Sequence, residues 1–195
     1  MEIKGTDQQI YKINRDMLKL VHKTEKISVV EYTPNVIEPS FGIGRILYAL
    51  LEHSFYTREQ DAQRTVFKFE AQVAPTKALV LPISNNPKFT PFIEDIVSKL
   101  RTHDLSCKTD LSSNSIGRRY ARSDEIGTPF AIAVDFKTLD DQTVTLRYRD
   151  STQQVRADVE SIVGAVRDVV EGRCVWEDVW SKLPHFSSTE TEETQ

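Results

Sequence analysis

The residues best suited to chemistry lie in one decapeptide, VIEPSFGIGR, residues 36–45. It combines a carboxylate (Glu38), a proline (Pro39), a hydroxyl (Ser40), two glycines (Gly42 and Gly44) and a guanidinium (Arg45). Arg45 opens the run ILYALLEHSF, which places Leu47, Leu50, Leu51 and Phe55 on one helical face. A cation at that point sits where backbone N–H groups and the helix dipole also favour anions. The glycines would let a ligand approach the backbone closely. Each residue also has a plainer reading. Glu38 can be a loop carboxylate between Pro34 and Pro39, the glycines can shape a turn into a core helix, and Arg45 can be a solvated helix residue.

A second group is cationic. Arg118, Arg119 and Arg122 stand in SIGRRYARSDEIG, a polar segment with helical character, and Arg118 and Arg122 share a face because they are four apart. Arg147 and Arg149 flank Tyr148 in QTVTLRYR, a strand-like run, so both should face the same way. Arginine and aromatic side chains supply the stacking and edge contacts that single-stranded bases need. The plain alternative for the helix is a solvated charged face shared with Asp124 and Glu125. His53 is expected only to pack or hydrogen-bond on its helix. Trp176 and Trp180, four apart, read as packing residues. Cys107 and Cys174 stand far apart without a C-x-x-C or Cys/His pattern, which predicts reduced thiols and no zinc or other metal site.

The chain has 195 residues, 39% hydrophobic and 28% charged, enough for one domain with a sizeable core or a domain plus a piece of another. Lys and Arg number 25 against 29 Asp and Glu, a net charge of -4. That balance argues against a strongly basic, non-specific nucleic-acid binder, but leaves room for a local basic patch. No apolar run approaches a bilayer-spanning length, and MEIKGTDQQI lacks the apolar core of a signal peptide.

Stepping along the chain, QIYKIN and KISVVEY predict short antiparallel strands joined by a charged helical turn within residues 8–32. TREQDAQRT reads as loop, with a short strand at Phe67 and Phe69. KALVLPI, residues 77–83, is a compact run suited to a buried strand, and Thr90-Pro91 starts a helix through Phe92, Ile93, Ile96, Val97 and Leu100. Cys107 to Asp110 is a brief strand. PFAIAVDF and QTVTLRYR are adjacent strands around an Asp140-Asp141 turn. Ser151 with Gln154 has the form of a capping box, opening a helix from Val155 to Val170 that stops at Gly172. WEDVW is a short last helix. Strand–helix alternation from Pro75 onward predicts an α/β fold, a mixed β-sheet with helices on both faces.

Two segments carry a resemblance to a known family. VIEPSFGIGR with its following helix resembles motif 3 of class II aminoacyl-tRNA synthetases, in the form found in glycyl-tRNA synthetases. SIGRRYARSDEIGTPFAIAVDF, residues 115–136, followed by TVTLRYRDS, resembles the anticodon-binding domain of the class IIa synthetases in its glycyl version. The resemblance covers nearly the whole chain, weakest over residues 1–30 and the tail. It implies four stretches: 1–32, the end of an insertion in the catalytic domain; 33–74, the motif 3 strand and helix of a class II antiparallel catalytic domain; 75–186, an anticodon-binding domain; and 187–195, a disordered acidic tail.

The resemblance further implies a glycine–tRNA ligase, which joins glycine to its tRNA at the expense of ATP. Arg45 matches the arginine that grips ATP's terminal phosphate, with Gly42 and Gly44 beside the nucleotide. Glu38, Pro39 and Ser40 match positions that meet the amino acid; a carboxylate suits an ammonium group, and glycine offers no side chain to recognise. Arg118, Arg119, Arg122, Arg147 and Arg149 fall on the tRNA-facing side. ATP enters as a substrate, with Mg2+ expected in the full enzyme and no bound cofactor in this segment. The implied partners are glycine tRNA, glycine, ATP and a second copy in a homodimer, with no membrane. The implied compartment is the cytoplasm, with a mitochondrial form as the alternative. Motifs 1 and 2 are absent from the chain, so it is expected to be a fragment or a truncated product, with no glycine-dependent ATP–pyrophosphate exchange by itself. The competing reading is a non-catalytic binding protein on the anticodon-binding fold, such as a polymerase accessory subunit or a tRNA-binding regulator. A nucleotide-binding α/β enzyme is a weaker third, since the glycine pair follows neither G-x-G-x-x-G nor P-loop spacing.

Overall fold

A computed structural model describes residues 2–59 and 61–187. The chain divides into two compact units, one reaching Ser40 and the other beginning at Phe41. In the first unit, β1 (Glu2–Lys4) pairs antiparallel with β2 (Ile10–Lys12) in the register Ile3↔Tyr11. A single 3-10 turn, Arg15–Met17, follows. From Leu18 to Phe41 the backbone has no regular secondary structure. The strands expected at KISVVEY and at residues 36–41 are therefore not formed. Strands need a paired neighbour and a surface on which to bury a face. Val29, Val30 and Ile37 are 72%, 77% and 96% exposed, so neither is supplied.

The second unit begins with α1 (Ile43–Ser54), the helix expected after the decapeptide. Next come β3 (Phe55–Arg58) and β4 (Asp61–Phe67), an antiparallel hairpin with Tyr56↔Val66 and Phe55↔Phe67 opposed. Residues 57–65 are thus mostly strand, not loop. Their charge hides a period that only the pairing with Phe55 and Tyr56 reveals.

A five-stranded sheet follows in the order β6-β5-β7-β8-β9. Its strands are β5 (Ala78–Pro82), β6 (Cys107–Thr109), β7 (Phe130–Val134), β8 (Thr143–Tyr148) and β9 (Gln154–Asp158). β5 runs parallel to β6 and β7, whereas β7–β8 and β8–β9 are antiparallel, so the sheet is mixed. α2 (Thr90–Thr102), α5 (Val159–Val170) and α6 (Trp176–Lys182) cover one face; α3 (Ile116–Glu125) covers the other. Helices on both faces of a mixed α/β sheet are what the alternation predicts.

The pleat sorts the side chains. Ala78, Val80, Phe130, Ile132, Val144, Leu146 and Val155 join Ile96, Leu100, Ile162, Val166 and Trp176 in the main core. Leu79, Leu81 and Ala131 point to the other face, against Tyr120 of α3. Trp176 is a core residue, and its indole N–H donates to Gln153 Oε1 at 2.8 Å. Cys107 and Cys174 are free thiols.

Two local expectations change. The residues between β7 and β8 form a helical turn, α4 (Phe136–Asp141), capped by Asp135 and Thr138 in a reciprocal box. Residues 154–158 are strand, and the helix starts later, with Asp158 accepting from Ser161 N. Ser151 and Gln154 form no capping box, because Val155 is claimed by the ladder with β8 (Leu146↔Val155). Gly172 has φ +72°, consistent with a helix stop. The acidic tail expected from residue 187 lies, beyond Ser187, outside the described residues.

Candidate nucleic-acid interface

α3 is amphipathic in an unusual sense, since both of its faces are polar. Arg119, Tyr120, Ser123 and Asp124 are buried against the sheet, while Arg118, Arg122 and Glu125 are exposed. Helical spacing explains the split: 120 and 124 stack one turn apart inward, and 118, 122 and 125 outward.

The inward arginines are consumed by the fold. Arg119, 3% exposed, donates to the carbonyls of Pro82 (2.7 Å) and Ile83 (3.3 Å), tying α3 to the end of β5. Arg147 and Arg149 do face the same way, under α3 rather than into solvent. Arg147 forms a bidentate pair with Asp124 at 2.9 and 3.0 Å, and its guanidinium lies 4.6 Å from the Tyr120 ring centroid. Arg149 pairs with Asp150 (2.7 Å) and donates to Gly127 O and Phe69 O, both at 2.8 Å. Burial pushes the Tyr120 phenol up to about 12, against the opposing pull of Arg147, so it stays a neutral hydroxyl.

Several functional partners were not singled out by residue type alone. Arg58, at the end of β3, donates to Asp124 Oδ2 (3.0 Å) and to Arg149 O (2.6 Å), fastening the hairpin to α3 and β8. Arg156 of β9 forms a bidentate pair with Asp135 at 2.6 and 3.0 Å. For Arg156 and Asp135 the available signal was a charged residue in an otherwise apolar stretch, which must be paired or hydrogen-bonded when buried.

Asp135 carries a testable consequence. Burial pushes its carboxyl up, but hydrogen bonds and charge from Arg156, with hydrogen bonds from Thr138, outweigh that and hold it below the ordinary value. A carboxyl depressed in the folded state contributes stability above its unfolded value, lost as pH falls through its folded value. The melting-temperature gap between the parent chain and Asp135→Asn is therefore expected to be widest at neutral pH. It should shrink below about pH 4. A gap constant from pH 7 to 2.5 would refute that link.

The outward residues are open. Arg118 makes no hydrogen bond or ion pair among the described residues, and Arg122 holds Asp110 (3.0 Å) and Ser112 (3.0 Å) at an exposed position. A cleft of about 230 Å³ between α3 and β4 is lined by Arg64, Thr65, Asn114, Arg118, Arg122 and Glu125.

The decapeptide is open throughout. Glu38, Pro39 and Ser40 are exposed and belong to the first unit; Gly42, Gly44 and Arg45 are exposed and belong to the second. Gly42 flanks α1 at φ -78°, so no left-handed conformation demands glycine there. A Cβ on Gly44 would meet nothing within 4 Å, which leaves that backbone approachable. Arg45 stands in the first turn of α1, with no side-chain partner among the described residues.

The comparisons with known proteins fit this geometry. Residues 77–169, covering the sheet, α3 and most of α5, match the family described as "Anticodon binding domain". A prolyl-tRNA synthetase structure from Cryptosporidium parvum, complexed with L-proline and AMP, superposes with a TM-score of 0.51 at 16% identity. That overlap takes in 54% of this chain and 23% of that one, and it speaks to fold alone. The sheet with α3 across its arginine-bearing face is thus the part of the chain that matches the anticodon-binding family. Sequence identity narrows the class. The glycine–tRNA ligase of Bombyx mori is 53% identical over 173 residues, 88% of this chain and 24% of that protein. That of Drosophila melanogaster is 48% identical over 185 residues, 94% and 24% of the two chains. Glycine–tRNA ligase 1, mitochondrial, of Saccharomyces cerevisiae is 43% identical over 186 residues, 95% and 27%. Over about nine-tenths of its own length the chain is similar to glycine–tRNA ligases, and it spans about a quarter of the length of these relatives.

Proposed function

We propose that this chain provides tRNA anticodon recognition, and part of the ATP and glycine site, in a ligase that attaches glycine to its tRNA. The observation that carries the RNA-binding part is the division of α3: its inner arginine locks the helix to the sheet, and Arg118 and Arg122 are left exposed on the outer face. Exposed guanidiniums on a rigid helix suit phosphate and base contacts, because little ordering remains to be done on binding. Arg119, Arg147 and Arg149 act in this reading by holding the surface, since their guanidiniums are committed to buried carboxylates and carbonyls.

In the same proposal, Glu38, Pro39 and Ser40 meet glycine, and Gly42, Gly44 and Arg45 meet ATP. Support comes from the unpartnered Arg45 guanidinium at a helix start and the open backbone at Gly44. ATP supplies the activating phosphoryl chemistry as a substrate; Arg45 would neutralise phosphate charge and hold it in place. Mg2+ is expected to accompany ATP in the full enzyme; among the described residues no group of three or more His, Cys, Asp or Glu converges. Among those residues, too, no helix is long and apolar enough to cross a membrane. A homodimer and a cytoplasmic or mitochondrial site of action complete the proposal.

The 195-residue chain is expected to bind an anticodon stem-loop bearing a glycine anticodon more tightly than the same stem-loop with a scrambled anticodon. Replacing Arg118 and Arg122 together by alanine should weaken binding and lower the log K versus log salt slope by about 1.4–1.8, the effect of two lost phosphate contacts. Equal affinity for both loops would sink the anticodon assignment. An unchanged slope would remove these arginines from the interface.

A further inference from the structure

We infer that the β3–β4 hairpin, which lies outside the matched residues 77–169, completes an RNA-phosphate subsite by placing Arg64 beside Arg118 and Arg122. This rests on the RNA-binding reading of α3 and extends it to an element that the anticodon-domain match does not include.

Three guanidiniums and one carboxylate, Glu125, line the cleft between β4 and α3, with Thr65 and Asn114 as further polar walls. Like charges brought together on a fixed frame repel unless an anion joins them. The present counter-ions are weak holders. Arg64 pairs with Asp61 at 3.2 Å with both side chains substantially exposed, 40% and 48%. Arg122 is 54% exposed in its pair with Asp110. Exposed pairs of this kind contribute little and exchange readily for a better anion. Arg118 has no counter-ion among the described residues.

The frame itself is rigid. Arg58 bonds Asp124 at 3.0 Å and Arg149 O at 2.6 Å, Thr65 Oγ1 lies 3.4 Å from Glu125 Oε1, and Lys68 N donates to Ser54 O at 2.7 Å. The hairpin is thereby held with its Arg64 guanidinium over the first turn of α3: a Cβ built on Gly117 would lie 3.7 Å from Arg64 Nη2. A volume of about 230 Å³ suits a phosphodiester with its sugar. Arg64 also borders an adjoining cleft of about 850 Å³, which Tyr56, Tyr120 and Gln154 line together with the carboxylates Glu59, Asp61 and Asp150. RNA whose backbone follows the arginines therefore has a cavity beside it with aromatic and amide groups for an unstacked base. Phosphate contacts position and base contacts specify, so Arg64 should add affinity without selectivity.

The test uses the 195-residue chain and the glycine-anticodon stem-loop, with affinity measured across a KCl series. Arg64→Gln is expected to bind several-fold more weakly and to lower the salt slope by about 0.7–0.9, one phosphate contact. Its preference for the glycine over the scrambled loop should not change. Arg64→Lys should restore most of the slope, which a merely structural arginine would not do. If the parent chain binds with a salt-dependent affinity and Arg64→Gln leaves affinity and slope unaltered, the subsite is overturned while the RNA-binding reading stands. Failure of the parent chain to bind either loop overturns both.

Discussion

Asp124→Ala is expected to cost about 3–5 kcal/mol of folding free energy, the range for removing one partner of a buried ion pair. Asp124 is 3% exposed and accepts from two guanidiniums, those of Arg147 (6% exposed) and Arg58 (16% exposed). Without the carboxylate, two cations face each other in a poorly solvated space, with the Tyr120 ring beside Arg147 and the Arg149 carbonyl at Arg58 as partial substitutes. Asp124→Asn keeps an acceptor but loses the charge, so it should fall between the parent and the alanine variant. Urea unfolding with a common slope would read these differences. A loss below about 1 kcal/mol for the alanine variant would mean that the pair contributes far less than its burial implies. The same substitution loosens the hairpin, because Arg58 loses one of its two anchors and keeps only the Arg149 carbonyl. Combining it with Arg64→Gln should therefore be less than additive in RNA binding.

Arg149→Met should be nearly as damaging, at about 3–5 kcal/mol, for the same reason of an orphaned buried partner. Arg149 is 1% exposed and is the largest fully buried side chain among the described residues. Its guanidinium joins the segment after the hairpin (Phe69 O), the end of α3 (Gly127 O) and the turn after β8 (Asp150). Methionine fills part of the volume but leaves the Phe69 and Gly127 carbonyls without this donor, each costing roughly 1–3 kcal/mol, and leaves Asp150 with only the Tyr148 hydroxyl among the described residues. Gly127 leaves no slack for repacking. Its φ is +80°, and a Cβ there would already strike the Phe69 ring at 2.3 Å. Hydrogen exchange should show faster opening near Phe69 and Gly127 than in β5. Uniform protection with unchanged stability would refute this role. Arg118→Gln, at an exposed position without partners, should change stability by no more than about 0.5 kcal/mol.

Much of the fold was legible. KALVLPI and PFAIAVDF are short, apolar and bounded by breakers, and they became β5 and β7, buried on both faces. The spacing of Ile93, Ile96 and Leu100 correctly marked the buried side of α2. The misses share a cause. Residues 154–158 read as the start of a helix because Val155 continues the spacing of Val159 and Ile162. The ladder to β8 overrides that local pattern, and the turn moves to Asp158. The hairpin read as loop because its period shows only when Phe55 meets Phe67 across it. The segment 18–41 shows the reverse: local strand character without a surface to pair with or bury against, and no strand results.

By itself, the sequence carried the resemblance to glycyl-tRNA synthetases and determined the α/β class. It also determined which arginines share a side: 118 with 122 on a helix, 147 with 149 on a strand. Helical and pleated periods are local geometry, so they can be read without a partner in view. Only the tertiary structure decided which of those sides meets water. β8 is an interior strand flanked by β7 and β9, and α3 lies across the face bearing Arg147 and Arg149. Their charge is therefore spent on Asp124 and Asp150, while Arg118 and Arg122, chemically the same, stay at the exposed surface, Arg122 in an exposed pair with Asp110. Arginine identity carries the charge; burial, which depends on what packs above, decides its use.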